Sequence, residues 1–456
     1  MNDEMDGWLK SDDSKDYFDL LRFQTVAAEP LRLRDCTACA TWLKRWLVAI
    51  GAEAASLVSD KSPVPVVCGE LKGAEGAMTL LLYGHYDVQP ADPLDRWQTP
   101  PFEPTVRGDR VHCRGAQDDK GQFFAFLCGL RELVRSRSGA RLPFNVKVVV
   151  DGQEESGSGG LFRLLEDASF RKRLRADVLL VSDTSAAADL RPAIVAGLRG
   201  VSHFTVTLKA ANRDLHSGEY GGIAPNAAQG MAELLASLHN PDGSVAVPGF
   251  RDGIEPPSPD ELAAAEAGWA SEAAYAADIG TEPCGGQRGK TLVQRNCFEP
   301  TIEINGIHTG YGGPGSKTVI PCEAIAKLSM RLVPGQGPRA TYETVKRHLK
   351  DRCPRGMRVE LSEPSGEAPG FRLPLASPLF RLAEDVLKAM DPRGAVFQWN
   401  GASIPVVSAL RTAAGAAPLL VGWGQPEDRI HSPNESYSLR QFQAAKDWAM
   451  RILSAF

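Results

Sequence analysis

Three short strand-like runs, two of them continuously apolar, each end in charged or imidazole side chains. Leu80-Leu81-Leu82-Tyr83 runs into Gly84-His85-Tyr86-Asp87, Val146 to Val150 into Asp151-Gly152-Gln153-Glu154-Glu155, and Leu179-Leu180-Val181 into Ser182-Asp183. Apolar runs of this length, separated by helical patterns such as Gly121 to Ser136 and Gly160 to Phe170, predict strands buried on both faces. That combination predicts an α/β domain with a largely parallel sheet. In such sheets, sites form at the carboxyl ends of the strands, which is where the charges cluster here.

Beyond residue 200 the pattern changes. Val201 to Lys209 alternates apolar and polar residues, as a half-buried strand does. A helix over Asn226 to Leu238 follows, then an irregular stretch from Pro241 to Gly289 with an Ala-rich helix near residues 262–277. Strands are expected at Thr301 to Asn305, Ala324 to Val333 and Met357 to Leu361, with a helix at Thr341 to Lys350. The order βαββαβ defines a small α+β domain. The helix Pro378 to Met390 and strands at Ala395 to Trp399 and Pro418 to Val421 return to the first domain. The sequence therefore predicts a discontinuous domain, 1–195 with 369–456, and an inserted domain, 196–368. At the N-terminal end, helices are expected over Asp16 to Ala27 and from Asp35, as N-cap, to Gly51.

Composition excludes several classes. The chain has 456 residues, 43% hydrophobic and 23% charged, with a net charge of −5. Interspersed charge of that sign is no footprint for nucleic acid. No apolar run reaches membrane-spanning length. The acidic Met1 to Asp6 is no signal peptide, and the nine scattered cysteines are no disulfide framework, so a reducing, cytoplasmic setting is expected. Two P-loop near-misses, Gly285 to Thr291 and Gly313 to Thr318, have the wrong spacing. Cys36 and Cys39 fall inside an amphipathic helix and read as core. No G-x-S-x-G occurs. His112, His203, His239, His308 and His348 lie in no acidic cluster and read as structural.

The acidic clusters each admit two readings. His85 with Asp87 fits a metal ligand with its orienting carboxylate, or a satisfied loop histidine. Asp118-Asp119, just before the helix from Gly121, fits ligands or helix caps. Glu154-Glu155 fits a ligand beside a general base, or a solvated turn. Asp183 fits a ligand or a strand-end turn, and His431 a ligand or a solvated loop residue. Taken together, two histidines and several carboxylates at the ends of one sheet suit a two-metal hydrolytic site. Mixed imidazole and carboxylate donors point to zinc, manganese or cobalt rather than calcium.

The chain resembles the M20 family of metallopeptidases, in particular its carnosinase-like dipeptidase branch. The resemblance is carried by Gly84 to Pro90, Arg114 to Gly121, Glu154 to Ser158, Leu215-His216-Ser217-Gly218, Gly315 to Pro321, Ser403-Ile404-Pro405 and the His431 loop. It implies a zinc-peptidase-like catalytic domain with an inserted α+β lid and dimerisation domain. It implies that His85 and Asp183 bind one metal, Glu155 and His431 the other, and that Asp118 bridges them through a loop with a cis Asp118–Asp119 peptide. Asp87 would orient His85, and Glu154 would be the general base. His216 would stabilise the oxyanion in the neighbouring subunit's site, while Thr318, Arg331 and Ser403 would contact substrate. The implied cofactor is two divalent ions per subunit, zinc first, with manganese or cobalt as alternatives. The implied reaction is amide hydrolysis of dipeptides or short peptides with a free C-terminal carboxylate, by a homodimer formed through the lid. The alternative on the same scaffold is an N-acyl-amino-acid amidohydrolase.

Overall fold

The computed structural model describes residues 7–187 and 189–456; the acidic Met1 to Asp6 lies outside them. The chain divides into two compact units. The first contains the residues up to Ala196, Pro374–Gln398 and Ala409–Phe456; the second contains Gly197–Leu373 and Trp399–Ser408.

The first unit is built on one mixed sheet. Its strand order is Ala54–Val58, Val66–Leu71, Asn145–Asp151, Thr79–His85, Val178–Val181, Ala417–Gly422 and Ala193–Leu198. The four central strands, Asn145–Asp151 to Ala417–Gly422, run parallel, and the flanking pairs are antiparallel. The central strands are buried almost throughout, which is why they read as mainly apolar runs; Lys147, which interrupts Asn145–Asp151, carries its ammonium out to Arg175 O. From Thr79–His85 the chain crosses through the helix Lys120–Ser136 to Asn145–Asp151. It then passes back across the first strand to Val178–Val181. Such a reversal opens a crevice at the carboxyl ends of the strands.

Helix Lys120–Ser136 buries Phe123, Phe124, Phe126, Leu127 and Leu130. It meets the C-terminal helix Leu439–Ala455 at Gly129, where a Cβ would lie 2.6 Å from both Ala449 Cβ and Lys446 O. A buried charge network ties these two helices to a third, Asp12–Arg22. Arg131 pairs with Asp13 and Asp16, and Lys446 pairs with Asp13 and Glu132.

The second unit is an antiparallel sheet in the order Thr301–Thr309, Glu323–Leu332, Gly200–Lys209, Arg358–Leu361. The helices Ala227–Ala236 and Pro338–Asp351 supply the rest of its core. Phe204, Val206, Leu208, Leu328 and Met330 pack there with Met231, Leu235, Tyr342 and Val345.

Several local expectations differ from the structure. The first long helix is Asp12–Arg22, because the Ser11 side chain accepts from Ser14 N and starts it earlier. Asp35 is not an N-cap: the helix is Leu33–Ala49, and Asp35 lies in its first turn. The helix expected over Gly160 to Phe170 breaks at Asp167, whose carboxylate caps a new helix, Ala168–Leu174. The Ala-rich run forms two helices, Pro259–Ala267 and Glu272–Ile279, each started by its own serine cap. Thr301 continues to Thr309 through a register shift between Ile304 and Gly306. The segment Trp399–Ser408 falls in the second unit rather than the first. There Cys297 Sγ donates to Trp399 O at 2.8 Å and Arg199 Nε donates to Gly401 O at 2.8 Å.

Candidate dinuclear metal centre

The carboxyl ends of the parallel strands deliver most of the expected side chains to one place. His85 is the last residue of Thr79–His85. Glu154 and Glu155 form a turn directly after Asn145–Asp151. Asp183 follows Val178–Val181. Asp118 precedes the helix Lys120–Ser136, and its peptide to Asp119 is cis. His431 arrives from the loop after Ala417–Gly422. Two groups of three ligands result: His85, Asp118 and Asp183, and Asp118, Glu155 and His431. Within each group the donor atoms lie within 4.8 Å of one another, and Asp118 belongs to both.

Neighbouring groups aim His85 and Glu155. His85 turns Nδ1 toward Asp87, 3.1 Å from its carbonyl oxygen and 3.4 Å from Oδ1. That leaves Nε2 facing the cluster, 3.2 Å from Asp118 Oδ1 and 3.8 Å from Asp183 Oδ2. The fully buried Asp87 also accepts from the backbone N–H groups of Glu154 and Glu155, at 3.0 and 3.1 Å. One carboxylate therefore sets the histidine ring and the glutamate turn together. Gln89 donates to Glu155 Oε2 at 2.8 Å, which turns Oε1 toward His431 Nε2 at 3.3 Å. Gly84 has to be glycine: a Cβ there would lie 2.4 Å from Phe123 Cβ and 3.0 Å from Asp119 Oδ2. That close approach lets Asp119 Oδ2 accept from His85 N at 3.2 Å.

The Asp118 loop is held by a residue to which the sequence assigned no role. Glu435 is fully buried. It accepts from the N–H groups of Gly115, Gln117 and Asp118 at 3.0 to 3.2 Å, and its Oε2 receives Arg114 Nη1 at 2.7 Å. Its sequence signal is weak, an acid four residues after His431 in a polar loop. Its role depends on two loops more than 300 residues apart meeting in space. Cys113, in the same loop, is buried, and burial drives its thiol far above the ordinary range, so it is inert.

The electrostatics are those of a site built for cations. Burial pushes Glu154 up to about 7; His85 opposes the rise, and the charges of Asp87, Glu155 and Asp118 add to it. Burial also pushes Asp87 up to about 6, against its hydrogen bond with His85. Asp183 is raised well above the carboxylate range by burial and by its acidic neighbours. Burial would raise Asp118 too, yet hydrogen bonds with His431 and His85 hold it well below the usual range. Those with Asp118 and Glu155 lift His431 to about 10. Without cations the cluster keeps protons that its crowded carboxylates cannot all release. Glu155 Oε1 is buried, and among the described residues it meets no donor other than the His431 ring. Oxygen and imidazole donors in this number fit two divalent ions, which would take the place of those protons.

The remaining expected residues lie in the second unit and form two pairs. His216 Nδ1 accepts from Gly218 N at 3.0 Å, which places the proton on Nε2, 3.4 Å from Thr318 Oγ1. Arg331 Nη1 donates to Ser403 Oγ at 3.1 Å. His239 and His348 are supporting groups, at 3.0 Å from Ile302 O and 3.1 Å from Ser237 O. Cys36 and Cys39 are buried in a helix, where burial lifts their thiols to about 12. No described helix is long and apolar enough to cross a membrane.

The parallel sheet and its paired ligand groups define a hydrolase with a dinuclear metal centre. The model of peptidase family M20/M25/M40 matches residues 81–455, and the chain belongs to that family. It is 30% identical over 395 residues to the Cys-Gly metallodipeptidase dug1 of Schizosaccharomyces pombe, an alignment covering 83% of this chain and 80% of that protein. It is also 30% identical over 374 residues to the human Beta-Ala-His dipeptidase, covering 81% and 73%. Among solved structures it superposes on the M20 family metallo-carboxypeptidase Sso-CP2 from Sulfolobus solfataricus. There the TM-score is 0.85 at 26% identity, over 97% of this chain and 98% of that one. Human carnosine dipeptidase 1 gives a TM-score of 0.77 at 25% identity, covering 98% and 97%.

Proposed function

We propose that this enzyme hydrolyses dipeptides, or short peptides with a free C-terminal carboxylate. The observation that carries the reading is the pair of ligand groups sharing Asp118, with Glu154 beside them and no expected ligand position lost. Its similarity to two dipeptidases over most of their lengths supports the substrate class and disfavours the N-acyl alternative.

His85, Asp118 and Asp183 would hold one metal; Asp118, Glu155 and His431 would hold the other, with zinc the best match to the donors. Bound there, the two ions would lower the pKa of a water and polarise the scissile carbonyl. Glu154, with its pKa lifted by burial, takes the proton from the attacking water and hands it to the leaving amine. Asp87 keeps the His85 ring fixed throughout. His216 of one subunit would donate from Nε2 to the oxyanion that forms on the carbonyl in the neighbouring subunit's site. Arg331 binds the free carboxylate as a fork, with Thr318 and Ser403 beside it.

The lid domain, residues 196–368 as delimited from the sequence, would also pair two subunits. The edge strand Thr301–Thr309 exposes Ile304 and Ile307, an open edge that suits pairing with a second copy. Nine cysteines free of disulfides suit a cytoplasmic setting.

The test is amine release from dipeptides and N-acyl amino acids by metal-loaded wild type and Glu154→Ala. Dipeptide cleavage abolished by Glu154→Ala is the expected result. Release from N-acyl substrates alone would transfer the enzyme to the amidohydrolase class.

A further inference from the structure

The second unit contains a cavity of about 310 Å³ that the proposed mechanism does not use. Its lining includes Thr301 and Glu303 from one strand, with Trp269, Tyr275, Arg199 and Arg295. The two rings are stacked, 6.1 Å apart and 14° from parallel. They come from the long irregular stretch between Pro241 and Gly289.

The lining is rich in donors. Arg199 is buried and donates only to neutral carbonyls, Nε to Gly401 O at 2.8 Å and Nη1 to Glu299 O at 3.2 Å. Arg295 Nη1 likewise donates to Pro283 O and Gly285 O, at 2.7 and 2.5 Å. Among the described residues neither arginine forms an ion pair. Arg295 Nε, Trp269 Nε1 and Thr301 Oγ1 are buried with no hydrogen-bond partner. Glu303 is the one carboxylate in the lining, and its residue is exposed. A buried cation without an ion-pair partner is costly: burial, with the like charge of Arg331 adding to it and Cys297 and Glu303 opposing, pulls Arg199 down to about 10. A ligand carrying a carboxylate on a short apolar stem would give Arg199 and Arg295 a counter-charge and lay its stem against Trp269 and Tyr275.

The cavity adjoins the residue assigned to the substrate's end. Thr301, in its lining, is the direct cross-strand partner of Arg331. We propose that this cavity receives the side chain of the substrate's C-terminal residue and selects an acidic one, aspartate or glutamate, through Arg199 and Arg295. The inference rests on the reading of Arg331 as the carboxylate clamp. A lysine in the same place would face two like charges and lose its water.

The test is kcat/KM for Ala-Glu, Ala-Ala and Ala-Lys with the metal-loaded full chain. Ala-Glu is expected to exceed Ala-Lys by about tenfold or more, mainly through KM, the usual scale of one charge-assisted hydrogen bond. Arg295→Gln should pull that ratio toward one. Free glutamate should inhibit more strongly than free lysine, a readout that needs no variant to fold. Ala-Xaa peptides cleaved at equal rates, or Ala-Lys cleaved faster, would overturn the acidic pocket and leave the dipeptidase reading intact. If dipeptides are not cleaved, the same ratio is read on N-acetyl-glutamate and N-acetyl-lysine, and the dipeptidase reading alone falls. Equal binding of glutamate and lysine by calorimetry overturns the pocket whatever the enzyme cleaves.

Discussion

In the first unit Asp118 is pinned through its loop: Glu435 takes three backbone N–H groups and Arg114, and Asp87 holds both His85 and the Glu154–Glu155 turn. In the second unit His216 and Thr318 are exposed, and a single 3.4 Å contact joins their side chains. The groups proposed to bind metal are held in advance by buried hydrogen bonds, where burial makes each one count. The groups proposed to meet substrate have fewer such ties. On that reading the chemistry is the rigid half of the enzyme and recognition the adaptable half.

Breaking the rigid half should cost most. Glu154→Ala removes the base without touching a ligand, so kcat should fall by about 10²–10⁴-fold while metal content, read by elemental analysis, stays unchanged. Glu435→Gln leaves every ligand in place but replaces a charged acceptor that serves three N–H groups. Metal affinity, measured by chelator competition, should fall by about 10–100-fold, and Glu435→Asp should recover part of it. In the adaptable half, Arg331→Ala should raise KM for dipeptides by about tenfold with a smaller change in kcat, and leave metal affinity alone. If Arg331→Ala weakens metal binding as much as Glu435→Gln does, the division between the two units is wrong.

The smallest effect on activity belongs to the scaffold. Burial would raise the Asp13 carboxyl, but its hydrogen bonds with Lys446 and Arg131 outweigh it and hold the group below its ordinary value. A carboxylate depressed in the folded state contributes stability above its unfolded pKa of about 4 and loses it as pH falls through the folded value. Wild type should therefore lose thermal stability more steeply than Asp13→Asn below about pH 4. At pH 7 the variant should be less stable by about 2 kcal/mol, with kcat/KM unchanged.

The parallel sheet was legible because a strand buried on both faces must be apolar along its length and can carry charge only where it emerges from the core. His85, Asp183 and the Glu154–Glu155 pair each sit where such a run stops, so burial and charge conflict within a few residues. The structure gathers these residues with Asp118 and His431 into one cluster. Glu435 was illegible for the opposite reason. Its contacts are to backbone N–H groups around residues 115–118, and a distant acid carries no mark of whose backbone it will meet. The placement of Trp399–Ser408 with the second unit escaped notice on similar grounds, since Arg199 and Cys297 hold it by its carbonyls rather than by its side chains. Asp35 was misread as a cap because an acid in the first turn and an acid at the N-cap look alike in sequence.

The most direct test of the central claim is metal stoichiometry after extensive dialysis, compared between wild type and Asp118→Asn. Two ligand groups sharing one carboxylate predict two ions per chain in wild type and the loss of both in the variant. One ion in wild type, or two retained in Asp118→Asn, would contradict the shared centre.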